Sequence, residues 1–313
     1  AIESAAALFG LVNVDATPDD KPLDMDNLRG MLEAQPHCLC LTNRDLGDLG
    51  VTKLVALLQE IPEEAHSILR LDLDANGIGA SGCKALASIC LPGSPLASLE
   101  YLALAGNNVG AVGCEALIST LANGGLLQLE HCDLNGNTIG DSITRLGEAI
   151  ADNLATLSNV RKLFLDRNEI VNDGLVGFSK AIRRVPNLLP KLYELWLSNN
   201  AFGDPGAVAL CEALGAGAMP NLGDLRLQYN AIGDATIQAL VSAIERGALR
   251  NCWYLGFNDT ELTDHGLEML RECLIGGGLP KLEFFTASSA QSTSGTMQSV
   301  QDVLTARRQV PPR

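Results

Sequence analysis

Cys38 and Cys40, with His37 beside them, form the densest grouping of soft metal ligands in this 313-residue chain. A structural zinc site takes four such ligands, usually as two close pairs. No second pair adjoins this one, so no metal is expected. Five aspartates between Asp15 and Asp26 offer hard-cation chemistry. Asp20, Asp24 and Asp26 nevertheless lack the D-x-D-x-D-G frame and closing Glu of a calcium loop, and they read as solvated residues. His37, His66, His131 and His265 show no paired spacing, and no Ser/His/Asp set suggests a nucleophile with its base. Gly124-Gly125 and Gly276-Gly277-Gly278 precede no Lys-Ser/Thr pair, which excludes a phosphate-binding P-loop. The chain therefore reads as non-enzymatic and without a cofactor.

Charge and composition narrow the partners. With 37 acidic against 22 basic residues the formal net charge is -15, a poor match to nucleic acid or anionic lipid and a better one to a partner protein with a basic surface. An apolar fraction of 47% is too high for a disordered chain. No uncharged apolar run approaches the ~18 residues of a spanning helix. Residues 2–12 are apolar but short and lack a basic leader, so no retained signal peptide is expected; the Ala at position 1 reads as a processed or trimmed N-terminus. Nine cysteines, mostly in apolar contexts, suggest a reducing intracellular compartment, foremost the cytoplasm, with an organelle reached by a removed targeting peptide as the alternative. Nothing indicates a homo-oligomer.

The elements that position these residues are repeats. The pattern L-x-x-L-x-L-x-x-N-x-I-G recurs with its Asn at Asn76, Asn107, Asn137, Asn168, Asn200 and Asn230, spaced 31, 30, 31, 32 and 30 residues apart. Degenerate copies place Arg44 and Thr260 at the same position. The x-L-x-L-x core alternates with period two and predicts a short strand with Leu inward. The six asparagines, each both donor and acceptor, are expected to stack as a structural ladder. Gly-Asp or Thr-Asp pairs (Gly140-Asp141, Gly203-Asp204, Gly233-Asp234, Thr263-Asp264) predict helix starts with Asp as N-cap. Gly50, Gly82, Gly113, Gly174, Gly206 and Gly266 are expected where helix and strand backbones come close. Apolar residues spaced three to four apart follow, such as Leu210 and Leu214, and Pro190, Pro220 and Pro280 stop the helices.

On these residues the chain resembles the leucine-rich repeat family in its ribonuclease-inhibitor-like class, and Gly203–Leu214 is similar to repeats in the sensor domains of NLR proteins. The resemblance covers residues 37–288. It implies an α/β solenoid, or horseshoe, with parallel strands on the concave face and helices on the convex face. Residues 1–36 then read as an N-terminal helical cap. About eight repeats plus a terminal strand fill 37–288, and 289–313 is a polar segment with a capping helix. Absence of a nucleotide-binding or effector domain argues against a complete NLR-type sensor. The expected function is a protein-protein interaction module, a scaffold, adaptor or accessory subunit, binding on the concave face. The alternative implied by resemblance is a GTPase-activating protein similar to the Ran-specific family, with Arg44 or Arg70 stabilising transition-state charge.

Period-two alternation assigns the outward strand positions. Of thirteen aromatic residues, Tyr101, Phe164, Trp196, Tyr229 and Tyr254 fall there, with Phe284 in the last segment. Aromatics and Arg dominate binding hot spots, so Phe164, Trp196, Arg226, Tyr229 and Tyr254 are the expected centre of a partner-binding stripe. Asp72, Asp74, Asp133 and Asp166 on the same face would steer a basic partner. His131 is expected among them as a contact rather than a base.

Overall fold

A computed structural model describes residues 23–288 and 292–309. The apolar stretch at 2–12, Asp15, Asp19 and Asp20 lie outside the described residues, as do 289–291 and 310–313. Nine strands form a single parallel sheet in chain order. They are β1 Cys38–Cys40, β2 Arg70–Asp72, β3 Tyr101–Ala103, β4 His131–Asp133, β5 Lys162–Phe164, β6 Glu194–Trp196, β7 Asp224–Arg226, β8 Tyr254–Asn258 and β9 Phe284–Ser288. The helices are α1 Met25–Ala34, α2 Gly47–Glu60, α3 Pro62–His66, α4 Ala80–Ser88, α5 Gly110–Ala122, α6 Ile143–Asp152, α7 Asn172–Arg183, α8 Asp204–Gly215, α9 Asp234–Glu245, α10 Asp264–Ile275 and α11 Ser294–Gln309. Each strand is followed by at least one helix, so strand and helix layers grow together as an α/β solenoid.

The core lies between the two layers. Inward strand residues Leu39, Leu71, Leu102, Leu163, Leu195, Leu225, Leu255 and Phe285 are buried against helix residues such as Leu54, Leu86, Leu146, Leu210, Leu240 and Leu270. Every repeat thus fills the same thin space with similar side chains, which is why Leu dominates the composition. The register is in step throughout: Leu71 aligns with Leu102, Leu102 with Cys132, and Leu195 with Leu225.

At the end of each strand the chain must turn. The residue before the repeat asparagine takes a left-handed conformation in every repeat, at Asn43, Ala75, Gly106, Gly136, Arg167, Asn199, Tyr229 and Asp259. The asparagines bind this turn to its neighbours. Asn107 Oδ1 accepts from the Asn76 and Ile78 amides at 3.0 and 2.9 Å, and Asn107 Nδ2 donates to Leu73 O at 3.0 Å. The next links run Asn137 to Asn168 (2.9 Å), Asn168 to Asn200 (3.0 Å) and Asn200 to Asn230 (3.1 Å). Buried backbone groups that no strand partner reaches are satisfied this way.

The helix starts differ from expectation. Asp204 occupies the first turn of its own helix, but its Oδ1 accepts from Gly233 N at 2.8 Å and Thr236 N at 3.1 Å, the start of the following helix. Asp48 does the same for Gly79 and Gly82, Asn172 for Gly203 and Gly206, and Asp234 for Thr263. Parallel stacked helices put each side chain beside the exposed amides of the next helix, whose partial positive charge favours a carboxylate. This arrangement also corrects the reason for the recurrent glycine. A Cβ on Gly82 would meet Asp48 Oδ1 at 2.7 Å and one on Gly174 would meet Asp141 Oδ1 at 2.5 Å, so at these two positions Gly makes room for a side chain of the preceding repeat, whereas at Gly50 and Gly113 the nearest atoms are those of Leu46 and of Val109 and Cys83.

Both ends of the described ladder are covered. Asp24 caps α1 through the Asn27 amide at 2.9 Å, and Leu28 and Leu32 are buried in the core. At the other end α11 buries Val300 and Leu304, and Arg307 donates to the carbonyls of Gly278 and Leu279 at 3.0 and 3.1 Å. Among the described residues no helix is long and apolar enough to cross a membrane.

Candidate protein-interaction face

Three outward columns run across the sheet, one for each exposed position in the strand-to-turn segment. Neighbouring strands lie about 4.8 Å apart, close to the separation of stacked rings. Flat side chains on successive strands therefore meet face to face, and here they form one continuous line. The Arg70 guanidinium lies 3.7 Å from the Tyr101 ring centre, and the Tyr101 and His131 rings stack at 4.2 Å. His131 meets Phe164 edge-on at 4.8 Å, Phe164 stacks on Trp196 at 3.7 Å, and the Arg226 guanidinium covers Trp196 at 3.9 Å and Tyr254 at 5.0 Å. The line crosses from the first column to the second between β4 and β5. There His131 is in register with Lys162, so its contact with Phe164 is diagonal. It returns to the first column at Tyr254, because Gly256 leaves the second column without a side chain on β8.

Both arginines are held by carboxylates. Arg226 makes a two-point contact with Asp224, Nη2 to Oδ2 at 2.8 Å and Nε to Oδ1 at 3.1 Å. Asp224 is at an outward position, yet it is only 1% exposed because that guanidinium covers it. Arg70 pairs with Asp72 at 3.3 Å. An arginine that assists GTP hydrolysis must reach into its partner; Arg70 is half-buried and engaged by Asp72 and Tyr101. Arg44 lies in the turn after β1, its amide on Asn76 Oδ1 at 2.9 Å.

Alongside the rings runs the acidic row. Asp72 accepts from Thr42 Oγ1 at 2.6 Å, Asp74 from Ala105 N at 2.6 Å, Asp133 from Asn135 N at 2.9 Å and Asp166 from Ser198 N at 2.5 Å. These carboxylates are largely shielded from water. Burial, with Asp72 nearby, pushes Asp74 up to about 7, and burial pushes Asp133 and Asp166 up to about 6. Near neutral pH the row thus carries less charge than the same aspartates would in water. Burial also pushes His131 down to about 4, helped by Lys162, so this ring is neutral in the stack. Its Nε2 is buried and has no hydrogen-bond partner among the described residues.

The structure sorts the expected stripe residues. Phe164, Trp196, Arg226 and Tyr254 come together. Phe164 is not open, however: at 6% exposure it is covered by its neighbours. Tyr229 stands apart in the left-handed turn after β7 and is 56% exposed. Tyr101, Arg70 and His131, which the period-two register places on the same face, continue the line as far as β2. Beyond Tyr254, Trp253 meets Tyr254 at 5.9 Å and Phe284 at 6.1 Å, and Arg308 lies 5.3 Å from the Phe284 ring centre. Trp253 immediately precedes β8, outside the alternation used to assign the face. Among the described residues no group of three or more His, Cys, Asp or Glu is placed to hold a metal ion.

Comparison with known proteins agrees with this ladder. A family model described as Leucine Rich repeat matches residues 64–87, 96–117 and 189–211. The chain carries leucine-rich repeats. This leucine-rich repeat chain is 32% identical over 218 residues to NACHT, LRR and PYD domains-containing protein 12 of Mus musculus, a match covering 65% of the chain. It spans only 18% of that relative's length. Among solved structures, Leiomodin-1 Actin-Binding Site 2 (ABS2) aligns with a TM-score of 0.37 at 19% identity, over 44% of this chain and 75% of that one.

Proposed function

We propose that this leucine-rich repeat protein is a non-enzymatic interaction module, a scaffold or accessory subunit, that holds a basic segment of a partner protein along its concave face. One observation carries the reading: the unbroken line from Arg70 to Tyr254 lies beside a row of four carboxylates on a single face. Rings held by their neighbours present contact area with little left to order on binding, which favours hot spots. Lysine or arginine from a partner can meet both ring faces and carboxylates there. In the same proposal residues 1–36 and 289–313 are the caps of the array, supported by the packing of α1 and α11.

Partner capture from a native source tests it, with wild type compared against Trp196→Ala/Tyr254→Ala and against Leu154→Ser, at an exposed residue in the turn after α6. The expected result is a protein captured by wild type at low salt, released at high salt, and lost at low salt only in the concave double variant. Equal recovery by the concave variant, or loss confined to Leu154→Ser, would place the partner elsewhere.

A further inference from the structure

Cys38 and Cys40 sit two residues apart in β1, so their side chains leave the same side of the strand. Their sulfurs are 2.9 Å apart, and both residues are half-buried, open enough for a small reagent. β1 is the terminal strand, paired in the sheet with β2 alone. Six of the other cysteines, Cys83, Cys90, Cys114, Cys132, Cys211 and Cys252, are buried, and Cys273 is half-buried. Three of these donate to backbone carbonyls at 3.3 Å: Cys83 to Gly113, Cys90 to Leu86 and Cys252 to Tyr254. The pair in β1 thus combines access with a second thiol already in place.

We propose that Cys38 and Cys40 form a reversible oxidation site, at which a hydroperoxide converts the two thiols to an intramolecular disulfide. The division of labour follows from their surroundings. Either sulfur can be the donor across the 2.9 Å contact; with the Cys38 S–H donating, and the Arg70 guanidinium adding positive charge, Cys40 falls to about 7 even though burial and Asp72 oppose the change. Cys38, as the donor and desolvated, is pushed up and keeps its proton. The Cys40 thiolate attacks the peroxide O–O bond and becomes a sulfenic acid, while the leaving oxygen takes a proton and departs as water or alcohol. Cys38 sulfur then displaces the sulfenic oxygen as a second water, its own proton going to that oxygen. Two thiols and one hydrogen peroxide give one disulfide and two waters. Cα atoms two apart in a strand are separated by about 6.6 Å, at the upper end of the range that disulfides span. A disulfide so near the limit of that range is strained, so the bond is readily reduced again.

The test uses the full chain treated with hydrogen peroxide near stoichiometry, then alkylated and digested with trypsin. Gly30–Arg44 is a single tryptic peptide holding both cysteines and no other. It is expected to be lighter by two hydrogens and unalkylated after peroxide, and doubly alkylated after later dithiothreitol. In Cys38→Ser a sulfenic acid should accumulate at Cys40 and be trapped by dimedone; in Cys40→Ser, Cys38 should be labelled at least tenfold more slowly. The proposal fails if the peptide keeps both thiols while Cys273 is oxidised. It fails equally if β1 crosslinks to another chain, or if the two single variants label at equal rates.

Discussion

The Trp196 indole lies on the Phe164 ring at 3.7 Å and 12° from parallel, with the Arg226 guanidinium on its other side at 3.9 Å. Trp196 is therefore the central plate of a stack and not a lone surface aromatic. Trp196→Ala removes one aromatic pair and one cation–π contact, together about 1–2 kcal/mol, and uncovers Phe164. We expect a lower denaturant midpoint for this variant, with Tyr229→Ala, outside the stack, close to wild type in the same titration.

Asp74 has a folded pKa of about 7 against an unfolded value near 3.8, raised chiefly by burial. A raised carboxylate favours the folded state when protonated. Its relative stabilisation is complete below the unfolded value and is lost as pH rises through 7. Asp74→Asn keeps an oxygen to accept from the Ala105 amide but cannot ionise. The variant should gain melting temperature relative to wild type at pH 8, and the gap should narrow steadily toward pH 5.

His131 has the opposite sign. Burial lowers its folded pKa to about 4, so the unfolded chain takes up a proton first as pH falls below 6.5. Stability from the neutral ring is present above pH 6.5 and is lost toward pH 4. His131→Phe retains a flat ring between Tyr101 and Phe164 and should gain on wild type across that window in thermal melts. By NMR the His131 ring should show no titration between pH 6 and 8.

Asp204 belongs to α8 by sequence but satisfies the start of α9, at Gly233 and Thr236. Asp204→Ala should cost about 1–2 kcal/mol, the range for a lost cap. Hydrogen exchange should locate the damage: faster exchange of the first-turn amides of α9, with α8 itself little changed.

Much of this molecule was legible in one dimension. The 30- to 32-residue period, the inward leucines and the strand–turn–helix order follow from local alternation and turn chemistry, which depend on near neighbours in the chain. The same alternation placed Phe164, Trp196, Arg226 and Tyr254 on one face. Exposure was not legible: Phe164 and Asp224 occupy outward positions yet are buried, Phe164 under Trp196 and His131 some thirty positions away and Asp224 under the Arg226 guanidinium. Tyr229, adjacent to the same strand, ended in a turn outside the stack.

What the sequence determined by itself, then, is the repeating unit, since a period-two strand and an amphipathic helix are properties of contiguous residues. Tertiary structure alone decided the relations between units. It placed Asp204 on the following helix, joined Arg70 to Tyr254 through five intervening rings and cations, and brought the acidic row close enough to burial to lose part of its charge. Stacking at about 4.8 Å turns residues one period apart into the nearest neighbours, and capping, ring packing and desolvation all act over that distance.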